Sequence, residues 1–79
     1  MSEGDNVYTF AQVSKAASRY GIRVRSYLFD GGETIEVTRA NGDQMARITS
    51  LWGDPSAPDQ TAKWLMSEGI ASVFDFAEG

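Results

Sequence analysis

A chain of 79 residues with a net charge of −4, no cysteine and no histidine has room for one small domain and few kinds of chemistry. At this length folding buries only roughly 60–65% of the surface the unfolded chain exposes, and no thiol is present to staple the fold or hold a metal. No apolar run approaches the roughly 20 residues of a membrane-spanning helix. Residues 1–7 read as a flexible segment without a signal-peptide pattern, and the expected location is the cytoplasm.

The first helix has a defined start. Thr9 followed by Gln12 is a capping box, and Tyr8 and Val13 sit where a hydrophobic staple belongs. Phe10, Val13, Ala16, Ala17 and Tyr20 then recur at helical spacing as one apolar stripe. Gly21 reads as the residue that ends the helix, with Ile22 folding back on Ala17. Strands are expected over 22–29, 34–39 and 44–51, divided by the turn dipeptides Gly31-Gly32 and Asn41-Gly42. Tight hairpins at those dipeptides place Leu28 opposite Ile35 and Tyr27 opposite Glu36. The second turn places Ile35 opposite Ile48, Glu36 opposite Arg47 and Val37 opposite Ala46. Both turns agree on one apolar face, made of Ile22, Val24, Leu28, Ile35, Val37, Ala46 and Ile48 and interrupted by Ser26.

A second helix opens near Ser56, with Asp59 as the acidic partner of a capping box and Pro55 and Pro58 tolerated at its start. It turns Ala62, Leu65 and Met66 inward and stops at Gly69, with Ile70 packing on Leu65. The tail from Ala71 to Phe76 reads as a short fourth strand or an irregular cover over the core, and the strand is the preferred reading. The fold class is α+β, in the order α-β-β-β-α, as a single domain over residues 1–79.

Two helices can cover one side of a three-stranded antiparallel sheet and leave the other to water. The register puts Arg23, Arg25, Tyr27, Phe29, Thr34, Glu36, Thr38, Met45, Arg47 and Thr49 on that open side, with Tyr27, Glu36 and Arg47 in one row and Arg25, Thr38 and Met45 in another. Aromatic residues, Met and Arg are enriched at protein interfaces, so Arg23, Arg25, Tyr27, Phe29, Glu36, Met45 and Arg47 are candidate partner-binding residues. A plain solvated face would explain the same residues as good strand formers and an ordinary cross-strand ion pair. Asp54 and Asp59 are candidates for contact with a basic groove. Trp64 points away from Ala62 and Met66, and either packs under the tail or stands out as an interface anchor. Trp52 is expected to cap the core beneath the Gly53-Asp54-Pro55 turn.

Without His or Cys, the commonest general base and the most readily activated nucleophile are both missing. The carboxylates are too dispersed for a Mg²⁺ or Ca²⁺ site, and no Walker loop, dinucleotide fingerprint or acidic calcium loop occurs. The expectation is a protein that is not an enzyme and carries no cofactor or metal.

The helix–three strands–helix order resembles that of double-stranded RNA-binding domains through the middle of the chain. That family contacts phosphates from a lysine-rich start to its second helix, and here the same place reads Asp54-Pro55-Ser56-Ala57-Pro58-Asp59. Acids at a helix N-terminus repel phosphate, so the activity does not carry over. A narrower alternative is a reader of single strands, with Tyr27 and Phe29 stacking on bases and Arg23, Arg25 and Arg47 on phosphates. The acids Asp30, Glu33, Asp43, Asp54, Asp59, Glu68, Asp75 and Glu78, joined to the Arg/aromatic face in a short acidic α/β chain, give a character similar to the small phage-encoded anti-CRISPR proteins. This resemblance implies a stoichiometric inhibitor in the bacterial host cytoplasm that binds a CRISPR-Cas effector subunit and blocks DNA or guide engagement. Direct nucleic-acid binding ranks below a protein partner. A phage structural or assembly protein, oligomerising through the sheet face or an unprotected edge strand, is the remaining alternative.

Overall fold

Thr9 and Gln12 open the first helix as their spacing predicts. The Thr9 N–H donates to Gln12 Oε1 at 2.9 Å, and the Gln12 N–H donates to Thr9 Oγ1 at 3.2 Å. These contacts come from a computed structural model that describes residues 8–77, and the expectation for residues 1–7 lies outside the described residues. The helix α1 (Phe10–Ser18) leads through Gly21, at φ +71°, into β1 (Ile22–Phe29), β2 (Gly32–Arg39) and β3 (Gln44–Leu51). The three strands form one antiparallel sheet in the order β1-β2-β3. Helix α2 (Ala57–Ser67) and a 3₁₀ turn (Val73–Phe76) complete the chain.

The second hairpin has the expected register, with Ile35 opposite Ile48, Glu36 opposite Arg47 and Val37 opposite Ala46. The first does not. Its two-residue turn is Asp30-Gly31, so Phe29 pairs with Gly32, Tyr27 with Thr34 and Arg25 with Glu36. The whole pairing is displaced by two residues from the one expected with Gly31-Gly32 as the turn. Because side chains alternate with a period of two, this displacement keeps every residue on its expected face and changes only its neighbours. Gly32 is required for a different reason from turn geometry. A Cβ there would lie 2.1 Å from the Ser50 carbonyl oxygen, so β3 crosses against bare backbone.

Helices α1 and α2 lie on one side of the sheet and enclose a core of Val13, Ala16, Ala17, Ile22, Val24, Ile35, Val37, Ala57, Ala62, Leu65, Ala71 and Phe76. Ala46 and Ile48 pack against this core half-buried. Leu28 does not belong to it. Its partner in the sheet is Glu33 rather than Ile35, and at 72% exposure it stands beyond the reach of either helix. Helix α2 begins at Ser56, whose Oγ accepts the Asp59 N–H at 3.3 Å. It ends with Gly69 at φ +75° and an Ile70 N–H donated to the Leu65 carbonyl at 3.0 Å, the Schellman arrangement that the Gly-Ile pair predicts.

The expected fourth strand is absent from the described residues, and a 3₁₀ turn takes its place. Asp75 is the cause. Its Oδ2 accepts the Ser72 N–H at 2.8 Å and the Tyr20 hydroxyl at 2.7 Å, and Arg19 lies 3.4 Å from Oδ1. These contacts curl the tail, bury Phe76 against Tyr8 with ring centroids 5.0 Å apart, and leave Val73 and Phe74 outside. The Ser72 N–H, then the Tyr20 hydroxyl and the Arg19 guanidinium, hold the Asp75 carboxyl below its ordinary range, while the same carboxylate raises the Tyr20 hydroxyl above its own. A depressed carboxyl contributes stability above its unfolded value of about 4 and loses it as pH falls through the folded one. The raised Tyr20 contributes below about pH 10 and loses its share as pH rises through its folded value. Asp75→Asn is therefore expected to flatten the acid limb of a urea-midpoint-versus-pH curve relative to wild type. Parallel acid limbs would remove Asp75 from the acid response.

Candidate functional site

The uncovered face of the sheet divides into two zones. Toward the Asn41-Gly42 turn, Arg23, Arg25, Arg39, Glu36, Thr38, Ala40 and Gly42 line a shallow depression of about 230 Å³. The true row across the sheet is Arg25–Glu36–Arg47, with Arg47 Nη2 3.9 Å from Glu36 Oε2. One acid thus stands in register between two arginines, with its carboxylate near Arg47, and the zone has an excess of positive charge on a chain whose sum is negative. Toward the Asp30-Gly31 turn the character changes. Tyr27, Phe29 and Leu51 share the open face and are each about half exposed. Phe29 and Leu51 pair with Gly32 from either side, and the missing side chain lets both lean toward Gly31. Thr34 and Thr49 fill the middle, their hydroxyl oxygens 2.9 Å apart.

Trp52 extends this apolar zone and does not cap the core. At 60% exposure it reaches the first turn, with its indole N–H donated to the Asp30 carbonyl at 2.9 Å. The chain then turns at Gly53, φ +101°, toward the start of α2. Leu51 was legible from the alternation of β3, which assigns odd-numbered residues to the open face up to the strand's end. Alternation along β2 assigns Arg39 to the helix side with Ile35 and Val37, and at the strand's end it borders both that side and the depression on the open face.

Four of the sequence candidates fall elsewhere. Met45 is not on the open face. A bulge between Val37 and Thr38 pairs Thr38 with Gln44, leaves Met45 as the extra residue of β3, and lets its side chain pack against the core. Trp64 is half-buried and also joins the core margin, where with Tyr20, Ile22, Arg39, Gln44, Met45, Glu68 and Ile70 it borders an open cleft of about 630 Å³ on the helix side. Asp59 is buried in the first turn of α2, where Oδ1 accepts the Tyr8 N–H at 3.2 Å and Oδ2 lies 2.9 Å from Lys63 Nζ. Asp54 is exposed in the turn after Trp52.

Arg23, Arg25, Tyr27, Phe29, Glu36 and Arg47 are thus gathered on one surface with Leu51, while Trp52 reaches the adjoining turn and Arg39 lies where this face meets the helix-side cleft. Among the described residues no three His, Cys, Asp or Glu side chains converge on a point that could hold a metal ion. No helix of the described residues is long and apolar enough to cross a membrane. Compared with protein-family models, with curated proteins and with solved structures, the chain finds no match.

Proposed function

We propose that this protein acts without catalysis, by binding a protein partner through the open sheet face. The observation that carries the reading is the division of that face into an apolar end (Tyr27, Phe29, Leu51, Trp52) and an arginine end (Arg23, Arg25, Arg39, Arg47). Protein interfaces place aromatic anchors in a dry centre and polar groups at a wetter rim. A single-stranded nucleic acid would also use aromatic residues and arginines. It gains its affinity from stacking planes and phosphate charge, whereas Leu51 offers no plane and the chain carries a net charge of −4. The narrower reading, an inhibitor of a CRISPR-Cas effector subunit, rests on the family resemblance and gives the partner a testable identity.

Tyr27→Ala combined with Arg47→Ala is expected to weaken partner binding about 100-fold or more, because each position has the character of an interface hot spot. Both side chains are exposed, so the fold should keep its cooperative melt. The check is capture from nuclease-treated bacterial lysate containing an active CRISPR system, with the wild type retaining an effector subunit at near-stoichiometric yield and the double variant losing it. A labelled single-stranded oligonucleotide is titrated in parallel. Tight, steeply salt-dependent oligonucleotide binding would overturn the protein-partner reading, and unchanged capture by the double variant would remove the sheet face.

A further inference from the structure

The outer edge of β1 is open on three sides. Residues Arg25 to Phe29 are exposed without interruption, so the second half of the strand is uncovered on both its faces, and among the described residues β2 is its only neighbour in the sheet. The direction of its backbone groups follows from one hydrogen bond. The Ala40 N–H donates to the Gly21 carbonyl at 2.9 Å, which brackets the pair Ile22–Arg39 and makes it a non-hydrogen-bonded pair. The β1–β2 register has no bulge, so the alternation continues. Ile22, Val24, Ser26 and Leu28 direct their N–H and C=O groups away from β2, toward the open edge.

We infer that this edge pairs with β1 of a second copy of the same chain, antiparallel, about a two-fold axis at Ser26. In that register Ser26 meets Ser26, and Val24 and Leu28 meet each other, all through outward-directed backbone groups that close a regular ladder. Between them, in the closer non-hydrogen-bonded positions, Arg25 stands opposite Tyr27 and Arg23 opposite Phe29. Each arginine therefore finds an aromatic ring across the interface on the open face. On the helix side, the exposed Leu28 lies against Val24 of the other copy, a residue at the core margin with 9% exposure. The neighbouring registers fit less well. A slip one way sets Arg25 opposite Arg25, which costs like-charge repulsion. A slip the other way sets Tyr27 opposite Tyr27, shortens the ladder and leaves Arg23 beyond it. Self-complementarity of this kind is what an isologous dimer needs, and pairing would also hide an apolar edge that otherwise invites aggregation. The result is a continuous six-stranded sheet with two copies of the open face side by side.

Ultracentrifugation and a single introduced thiol test the pairing together. The chain has no cysteine, so Ser26→Cys reports one position, and the two thiols would sit on Cα atoms about 5.5 Å apart, within disulfide range. The expected results are a concentration-dependent dimer for the wild type and rapid disulfide trapping of Ser26→Cys but not of Tyr27→Cys. Leu28→Lys should weaken dimerisation about tenfold or more with an unchanged far-UV spectrum, since Leu28 is exposed in the single chain. A wild type that stays monomeric at about 1 mM overturns the inference. So does a dimer that Leu28→Lys leaves intact, or one that Tyr27→Cys traps and Ser26→Cys does not. These readouts concern self-association alone, so they stand or fall separately from capture of a partner by the sheet face.

Discussion

Gly32→Ala is expected to destabilise the protein by about 3 kcal/mol or more, while Gly31→Ala, one residue earlier, should cost less than about 1 kcal/mol. The difference lies in what each new methyl would meet. At Gly32 the nearest atoms are the Ser50 carbonyl oxygen at 2.1 Å and Leu51 Cα at 2.8 Å, all backbone of β3. No rotamer change can relieve such an overlap, so β2 and β3 must separate where Phe29, Gly32 and Leu51 line up across the sheet. At Gly31 the nearest atom is a ring carbon of Phe29 at 3.2 Å, on a half-exposed side chain able to swing away. A domain of this length has a total stability of about 4–12 kcal/mol, so the loss at Gly32 is a large share of it. Urea unfolding of the two variants, followed by far-UV circular dichroism, separates the cases. Equal midpoints would mean that β3 does not press on Gly32 in solution.

Gly32 also explains why the sequence misplaces the first hairpin. A glycine pair between two strand-like runs reads as a turn because turns need backbone freedom. Here neither glycine of the pair has a positive φ, and only Gly31 belongs to the turn. Gly32 is a strand residue whose missing side chain makes room for another strand. A local pattern cannot distinguish glycine used for conformation from glycine used for close approach, because the second reason lies 18 residues away in Ser50. The error moved the pairing by an even number, so Arg23, Arg25, Tyr27 and Phe29 were still assigned to the correct face. Met45 and Trp52 were lost differently. Each sits at an irregularity, Met45 in the bulge opposite Thr38 and Trp52 between the end of β3 and the turn at Gly53, where alternation no longer tells where a side chain points. An apolar run with an acid in it resembles an edge strand, and beyond the neighbouring Ser72 the partners of Asp75 are Arg19 and Tyr20, more than 50 residues away at the first helix's end. What remained legible was the part governed by periodicity, namely the helix stripe and the two faces of the sheet, together with helix-end signals local in sequence, such as the Schellman end at Gly69.

Asp59→Lys is expected to unfold the protein or cost about 3–5 kcal/mol, whereas Asp54→Lys should change stability by no more than about 0.5 kcal/mol. Both residues read from sequence as loop acids available to a basic groove, and the fold separates them. The Asp59 side chain is only 7% exposed and bridges the start of the described chain to α2. Oδ1 takes the Tyr8 N–H, and Oδ2 takes the Lys63 ammonium. A lysine in its place would leave the Tyr8 N–H without its acceptor and force a second cation into the buried position beside Lys63, whose own side chain reaches solvent. Asn at this position keeps an oxygen for Tyr8 and gives up only the charge, so Asp59→Asn should fall between the two, at roughly 1–3 kcal/mol. Chemical denaturation of the three variants tests that order, and a wild-type midpoint for Asp59→Lys would mean the carboxylate faces solvent after all. The order also decides how a charge-reversal experiment on partner binding must be built. A variant reversing both acids would lose any partner simply by losing its fold, so the contribution of this end of the molecule to recognition can be read from Asp54→Lys alone. If that single variant binds with unchanged affinity and salt dependence, the acids of the second helix's start take no part in recognition, and the partner's contacts lie on the sheet face.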